Sequence, residues 1–154
     1  MSVETTKANH AAESDYYSRD LSIGIAIAVA TLVGGGAACG WLVNRFGEFG
    51  AFSFLLLGWI AGLAARTFMK RPRKIVGYAV AAAVVIAMLI AEVAWIRWNI
   101  QDVDGWGKAI SLLPDFCQRF TMSAFLAGLC AFFGASSAYR EAGVRYKLVR
   151  VVEE

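Results

Sequence analysis

Residues 75–96, IVGYAVAAAVVIAMLIAEVAWI, carry a single charge, Glu92, in twenty-two positions. A hydrocarbon core of about 30 Å needs roughly 20 apolar residues of helix, so this stretch by itself is long enough to cross a bilayer. Three other stretches read the same way. Residues 21–43 have no charge, and residues 120–139 have none. Residues 49–65 are uncharged and then meet Arg66, with residues 67–69 able to complete the span. Strands of a membrane barrel would alternate polar and apolar residues, and these runs do not. Helices are the remaining spanning solution, because each backbone N–H and C=O must find its partner within the segment. We therefore expect an all-α integral membrane protein, a four-helix bundle with spans at about 21–43, 49–69, 75–97 and 120–139.

Composition agrees. The 154 residues are 58% hydrophobic and 18% charged, against roughly 45–50% and about 25% in ordinary soluble domains. That balance excludes a disordered chain, a disulfide scaffold and a coiled coil, and the length allows one domain. Cys39 and Cys130 fall in apolar runs, where a thiol acts as a small hydrophobe. Cys117 lies in a polar connection, so a structural disulfide is not expected.

The short connections 44–48 and 70–74 make antiparallel hairpins of the first three spans. The longer stretch before the fourth has its own pattern: Trp106, Ala109, Ile110, Leu113 and Phe116 recur at three- and four-residue steps, with Lys108, Ser111 and Asp115 between them. This predicts a short amphipathic interfacial helix over about 104–114, begun by Asp104 near the N-cap and ended by Pro114. A plain loop folded over the bundle is the alternative. Residues 1–20 hold four acids, two bases and the sole histidine, His10, and read as a flexible tail. Residues 140–154 read as a basic tail.

Lys and Arg set the orientation. With four spans, eleven of the fifteen bases lie on the side of the termini and the 66–74 connection, and four (Arg45, Arg97, Lys108 and Arg119) lie on the other. Both termini are expected in the cytoplasm, in a bacterial inner membrane. Trp41, Trp95, Trp98 and Trp106 gather at the outer interface. Gly36-Ala37-Ala38-Cys39 faintly resembles a lipoprotein cleavage box, but the long acidic stretch before it and the length of the apolar run argue for a retained span.

Gly58, Gly62 and Arg66 stand four residues apart on one helix face. Gly58-x-x-x-Gly62 and Gly36-x-x-x-Gly40 make grooves where another backbone can approach, and Gly128 offers the same in the fourth span. These glycines serve packing within the bundle or an interface with a second copy or a membrane-protein partner. Arg66 and Glu92 are the ionisable residues inside the apolar runs, which makes them functional candidates. They sit near opposite membrane surfaces and do not pair. Arg66 is expected to reach the inner headgroups beside Lys70, Arg71, Arg73 and Lys74, an anionic-lipid contact. Glu92 is expected to meet Arg45, Arg97 or Arg119, or else to bind a proton or cation.

No His/Cys cluster has metal spacing, and no phosphate-binding glycine loop or nucleophile elbow is present. Catalytic residues, cofactor and metal are each expected to be none, and topology explains the basic connection better than nucleic acid does. The glycine-rich first span, the run Gly58-Trp59-Ile60-Ala61-Gly62-Leu63-Ala64-Ala65-Arg66, Glu92 near the end of the third span and the tryptophan-bearing segment before a Phe/Ala-rich last span resemble a group of small, uncharacterised four-helix bacterial membrane proteins. Some members of that group add a zinc-ribbon, whose cysteines this chain lacks. The resemblance spans about residues 21–140 and implies the architecture and no activity. The leading expectation is a non-enzymatic structural or accessory subunit of a membrane complex. The alternative is a small oligomeric transporter or channel with Glu92 in a polar pathway.

Overall fold

The computed structural model describes residues 3–69, 73–100 and 103–143. Lys70, Arg71 and the basic stretch beyond residue 143 lie outside the described residues. The elements are α1 (Val3–Ala30), a π-helical turn (Thr31–Gly35), α2 (Gly36–Phe46), a 3-10 turn (Gly47–Ala51), α3 (Phe52–Phe68), α4 (Lys74–Asn99), α5 (Trp106–Ser111), α6 (Leu113–Arg119) and α7 (Thr121–Gly143). Four helical stretches are long and apolar enough to cross a membrane: Tyr17–Phe46, Phe49–Phe68, Lys74–Asn99 and Thr121–Gly143. Their outward faces carry large apolar side chains, among them Trp59, Ile60, Phe125 and Phe132, each more than half exposed. Apolar patches of that extent mark a surface made for lipid or for a partner rather than for water.

Helix α4 is the hub, because its small residues let every neighbour come close. Val76, Val80, Ala83, Val84, Ala87, Ala91 and Ala94 recur at three- and four-residue steps and are all buried. Gly36 and Gly40 of α2 lie over Ala87 and Ala91 of α4, so that a Cβ on either glycine would make ordinary van der Waals contact at 3.5–3.6 Å. The ascending order of these contacts makes α2 and α4 parallel. Gly77 of α4 meets Gly143 and Tyr139 of α7, whereas Ala91 shares a core cluster with Ala127 and Cys130, so α4 and α7 are antiparallel.

The most extensive packing joins α3 to α7. Gly58 of α3 rests on the backbone of Gly134, and Gly134 in turn on the carbonyl of Phe54. One turn further along, a Cβ at Gly62 would stand 3.0 Å from Ala138 Cα. This close backbone approach supplies the dispersion contacts that hold the pair.

Several expectations are corrected. The stretch read as a flexible tail is helical from Val3 and runs unbroken into the first span. Its last turn is anchored, since Asp20 is buried and engaged and the Tyr17 ring lies 4.0 Å beneath the Arg73 guanidinium. Helix α7 continues past Tyr139 to Gly143, because Ala142 accepts a hydrogen bond from the Arg73 amide and Gly143 packs on Gly77. The amphipathic segment is two helices rather than one. Pro114 falls in the first turn of α6, where its missing N–H costs nothing, so it opens a helix instead of ending one. Asp104 does not cap α5: Gly105, at φ +103°, precedes the helix with no side-chain cap. Of the two roles expected for Gly128, packing within the bundle is not the one it serves, since nothing lies within 4 Å of where its Cβ would be.

Replacing Gly58 or Gly134 by Leu is expected to cost about 3 kcal/mol or more of stability in detergent, at the upper end for overpacking because backbone must move. Gly128→Leu is expected to stay within about 0.5 kcal/mol of the parent. Reversible denaturant unfolding of the three variants measures both.

Candidate functional site

Chemistry-bearing residues collect at two ends of the bundle. At the first, Arg66 Nη1 donates to Glu141 Oε2 at 3.0 Å, joining the last turns of α3 and α7. Arg66 therefore closes on a neighbouring helix, where the sequence suggested a reach toward headgroups. The parallel course of α3 and α7 brings Glu141 to the same level. Arg73 covers Tyr17 and is half-buried, so of the four bases expected to contact lipid, Lys74 is the one described as exposed. Tyr78 and Tyr139 stack at 4.8 Å nearby.

The second end is built around Glu92, which projects from α4 three residues before Trp95 and so shares its face. A cavity of about 200 Å³ opens there. Its lining comes from Val43 at the end of α2, Gly47 and Ala51 in the 3-10 turn, Glu92 and Trp95 on α4, Phe116 on α6, Phe120 at the α6–α7 junction, and Ser123 and Ala127 on α7. Gly47 has φ +59° and its amide donates to the Val43 carbonyl. That left-handed turn, which favours glycine, brings α3 back beside α2 and closes the cavity floor. Hydrogen bonds from Phe120 N to Phe116 O and from Ala124 N to Phe120 O, both 2.9 Å, carry the chain from α6 into α7 without a loop. They hold Phe116 and Phe120 one turn apart, with ring centroids 5.0 Å from each other. Trp95 completes the cluster at 5.1 Å from Phe116 and 6.2 Å from Phe120.

Glu92 is half-buried and, among the described residues, has no ion pair or hydrogen bond. None of the three arginines named as its partners reaches it. Arg45 and Arg119 are exposed. Arg97 lies five residues further along α4, about 140° around the helix. The neighbouring asparagines satisfy each other instead, Asn99 Nδ2 donating to Asn44 Oδ1 at 2.8 Å across α4 and α2. The site thus offers one carboxylate against an aromatic wall. Among the described residues no three of His, Cys, Asp and Glu come together as metal ligands.

The structure brings Gly58 and Gly62 together with α7, and Gly36 and Gly40 with α4, while Arg66 on α3 and Glu92 on α4 lie at opposite ends of the bundle. The sequence reading missed Glu141, Gly134 and the aromatic lining. Gly134 is placed by the structure: the bulky Phe125, Leu129, Phe132 and Phe133 mark the outward face of α7, which leaves the stripe Ala127, Ala131, Gly134, Ala138 inward. No protein family model, curated protein sequence or solved structure matches this chain.

Because an unpaired carboxylate out of water is costly and its amide isostere is less so, Glu92→Gln is expected to raise the thermal midpoint of the ligand-free protein. Differential scanning of the two proteins in the same detergent checks this. The Arg66–Glu141 pair is solvent-exposed on the arginine side, at 59%. A double-mutant cycle with alanines is therefore expected to give a coupling of only about 0.2–1 kcal/mol.

Proposed function

We propose that this chain is a non-enzymatic multi-pass protein of a bacterial inner membrane, with both termini cytoplasmic, serving as a structural or accessory subunit of a membrane complex. The observation that carries this reading is the outward face of the bundle, where bulky apolar side chains surround helices of spanning length. The excess of Lys and Arg on the side of Arg66 and Arg73 supports the orientation. In this reading α5 and α6 rest at the outer surface, with Lys108, Ser111 and Asp115 toward water and Ala109 and Phe116 buried beneath. Lys74, exposed at the start of α4, faces anionic headgroups on the inner side, in the same basic stretch of sequence as Lys70, Arg71 and Arg73. Four of the five expected interface glycines are already occupied inside the bundle, so Gly128, with open space above it, is the small residue left to a partner.

A second reading, a small transporter formed by several copies, draws support from the cavity that Glu92 lines. Purification in a mild maltoside followed by native mass spectrometry separates the two. A stoichiometric membrane-protein partner supports the accessory subunit, and a closed homo-oligomer supports the transporter.

Orientation has its own test. Cys117 is exposed on α6, while Cys39 and Cys130 are buried. A membrane-impermeant maleimide added to spheroplasts is expected to label the native chain and to leave Cys117→Ser unlabelled. Labelling that requires lysis would reverse the topology.

A further inference from the structure

The cavity beside Glu92 has a composition that its place in the bundle does not require. Packing alone would be served by an apolar residue at 92, as it is by Ala91, Val93 and Ala94 on either side. An arginine partner would satisfy the acid, yet none of the candidates at this end comes to it. A carboxylate kept half out of water without a partner has its charge available to a ligand, and the other groups around it say which kind.

We propose that this cavity binds an organic ammonium group, with Glu92 as its counter-ion and Trp95, Phe116 and Phe120 as its aromatic wall. The negative charge selects a cation. The aromatic surroundings select a large, weakly hydrated one, since ring faces attract alkylammonium groups through their quadrupoles and gain most when the cation is desolvated. A hard metal cation is poorly served, because calcium asks for six to eight oxygens and magnesium for near-ideal octahedral geometry. Among the described residues the lining supplies oxygen from the side chains of Glu92 and Ser123, and the serine is already engaged.

Size narrows the class further. A cavity of about 150 Å³ is known to hold benzene, while whole drug-sized molecules occupy about 300–1,000 Å³. A volume of about 200 Å³ suits a single substituted ammonium headgroup. Such a group arrives either as a small soluble cation or as the headgroup of a zwitterionic lipid, which the outer-end position of the cavity makes equally accessible. The inference rests on the membrane reading above and goes beyond it by naming the ligand chemistry.

The test uses the full chain purified in a maltoside, a detergent without ammonium groups, and isothermal titration with choline and with 3,3-dimethylbutan-1-ol, its uncharged isostere. The native protein is expected to bind choline saturably and at least about tenfold more tightly than the alcohol. Glu92→Gln should bring the two within about twofold while its ligand-free thermal midpoint is no lower than the parent's, and Trp95→Leu should weaken choline severalfold. Equal affinity for the two ligands, no saturable choline binding, or a preference that survives in Glu92→Gln overturns the proposal. So does choline binding that appears only in Arg119→Gln, which would make that arginine the resident cation.

Repeating the titration in phosphatidylglycerol nanodiscs with and without phosphatidylcholine separates the sources. Competition by the added lipid supports a headgroup ligand, and unchanged affinity supports a soluble one. A chain that stays dispersed without detergent yet still prefers choline would sink the membrane reading and leave this one standing.

Discussion

The contact on which the rest of the bundle depends is the backbone-to-backbone crossing of α3 and α7 at Gly58 and Gly134. Dispersion attraction falls away within an ångström of its optimum, so two helices without side chains at their crossing gain contacts that bulkier residues would forfeit. The crossing also fixes register. Once Gly58 sits on Gly134, Gly62 meets Ala138 and Arg66 meets Glu141 in successive turns. In the other direction, Phe54 is driven wholly into the core, and Ala51 comes beside the first turns of α7 at the cavity floor. The ion pair at one end and the aromatic cavity at the other are thus two consequences of a single placement.

The first span solves a different geometric problem. Its buried positions run Asp20, Gly24, Thr31 and then Gly36, Cys39, Gly40 and Val43. The step of five between Thr31 and Gly36 falls outside helical periodicity and coincides with the π turn. A π turn adds a residue without advancing the face, so it resets the stripe. Gly24 can then lie against Val76, while Gly36 and Gly40 meet Ala87 and Ala91 higher on the same helix. The three consecutive glycines there, at 34 to 36, make the altered turn tolerable because they add no side chains to crowd it.

Much of the architecture was legible along the chain because spanning length and charge are one-dimensional properties. Four apolar runs of the right length can be counted, and four such helices stand in the structure. What could not be counted is azimuth. Gly128 and Gly134 both sit among small residues, and choosing between them means knowing which way Phe125, Phe132 and Phe133 point. Pro114 carries the same ambiguity, since a proline is equally at home ending one helix or beginning the next. The 1–20 stretch was misread for a related reason. Its polarity describes how it meets water, whereas its order near Asp20 and Tyr17 comes from a cation–aromatic contact with Arg73, fifty-six residues away from Tyr17. Glu92 stands out in the sequence as the lone charge of its run, but its surroundings depend on α6 turning directly into α7 at Phe120, which no local pattern announces.

The two ends of the bundle show how differently one fold treats its charges. At Arg66 the chain supplies Glu141 on a parallel neighbour, and the pair remains largely in contact with solvent, so neither group is stranded and little stability hangs on it. At Glu92 no such provision is made among the described residues, although Arg45, Arg97 and Arg119 stand at the same end of the bundle, and two asparagines there bond to each other rather than to the acid. If bundle stability alone shaped this region, an apolar residue at 92 would fill the cavity. Keeping a carboxylate beside three mutually packed rings sacrifices stability locally, and sites that do so are characteristically those reserved for something other than folding.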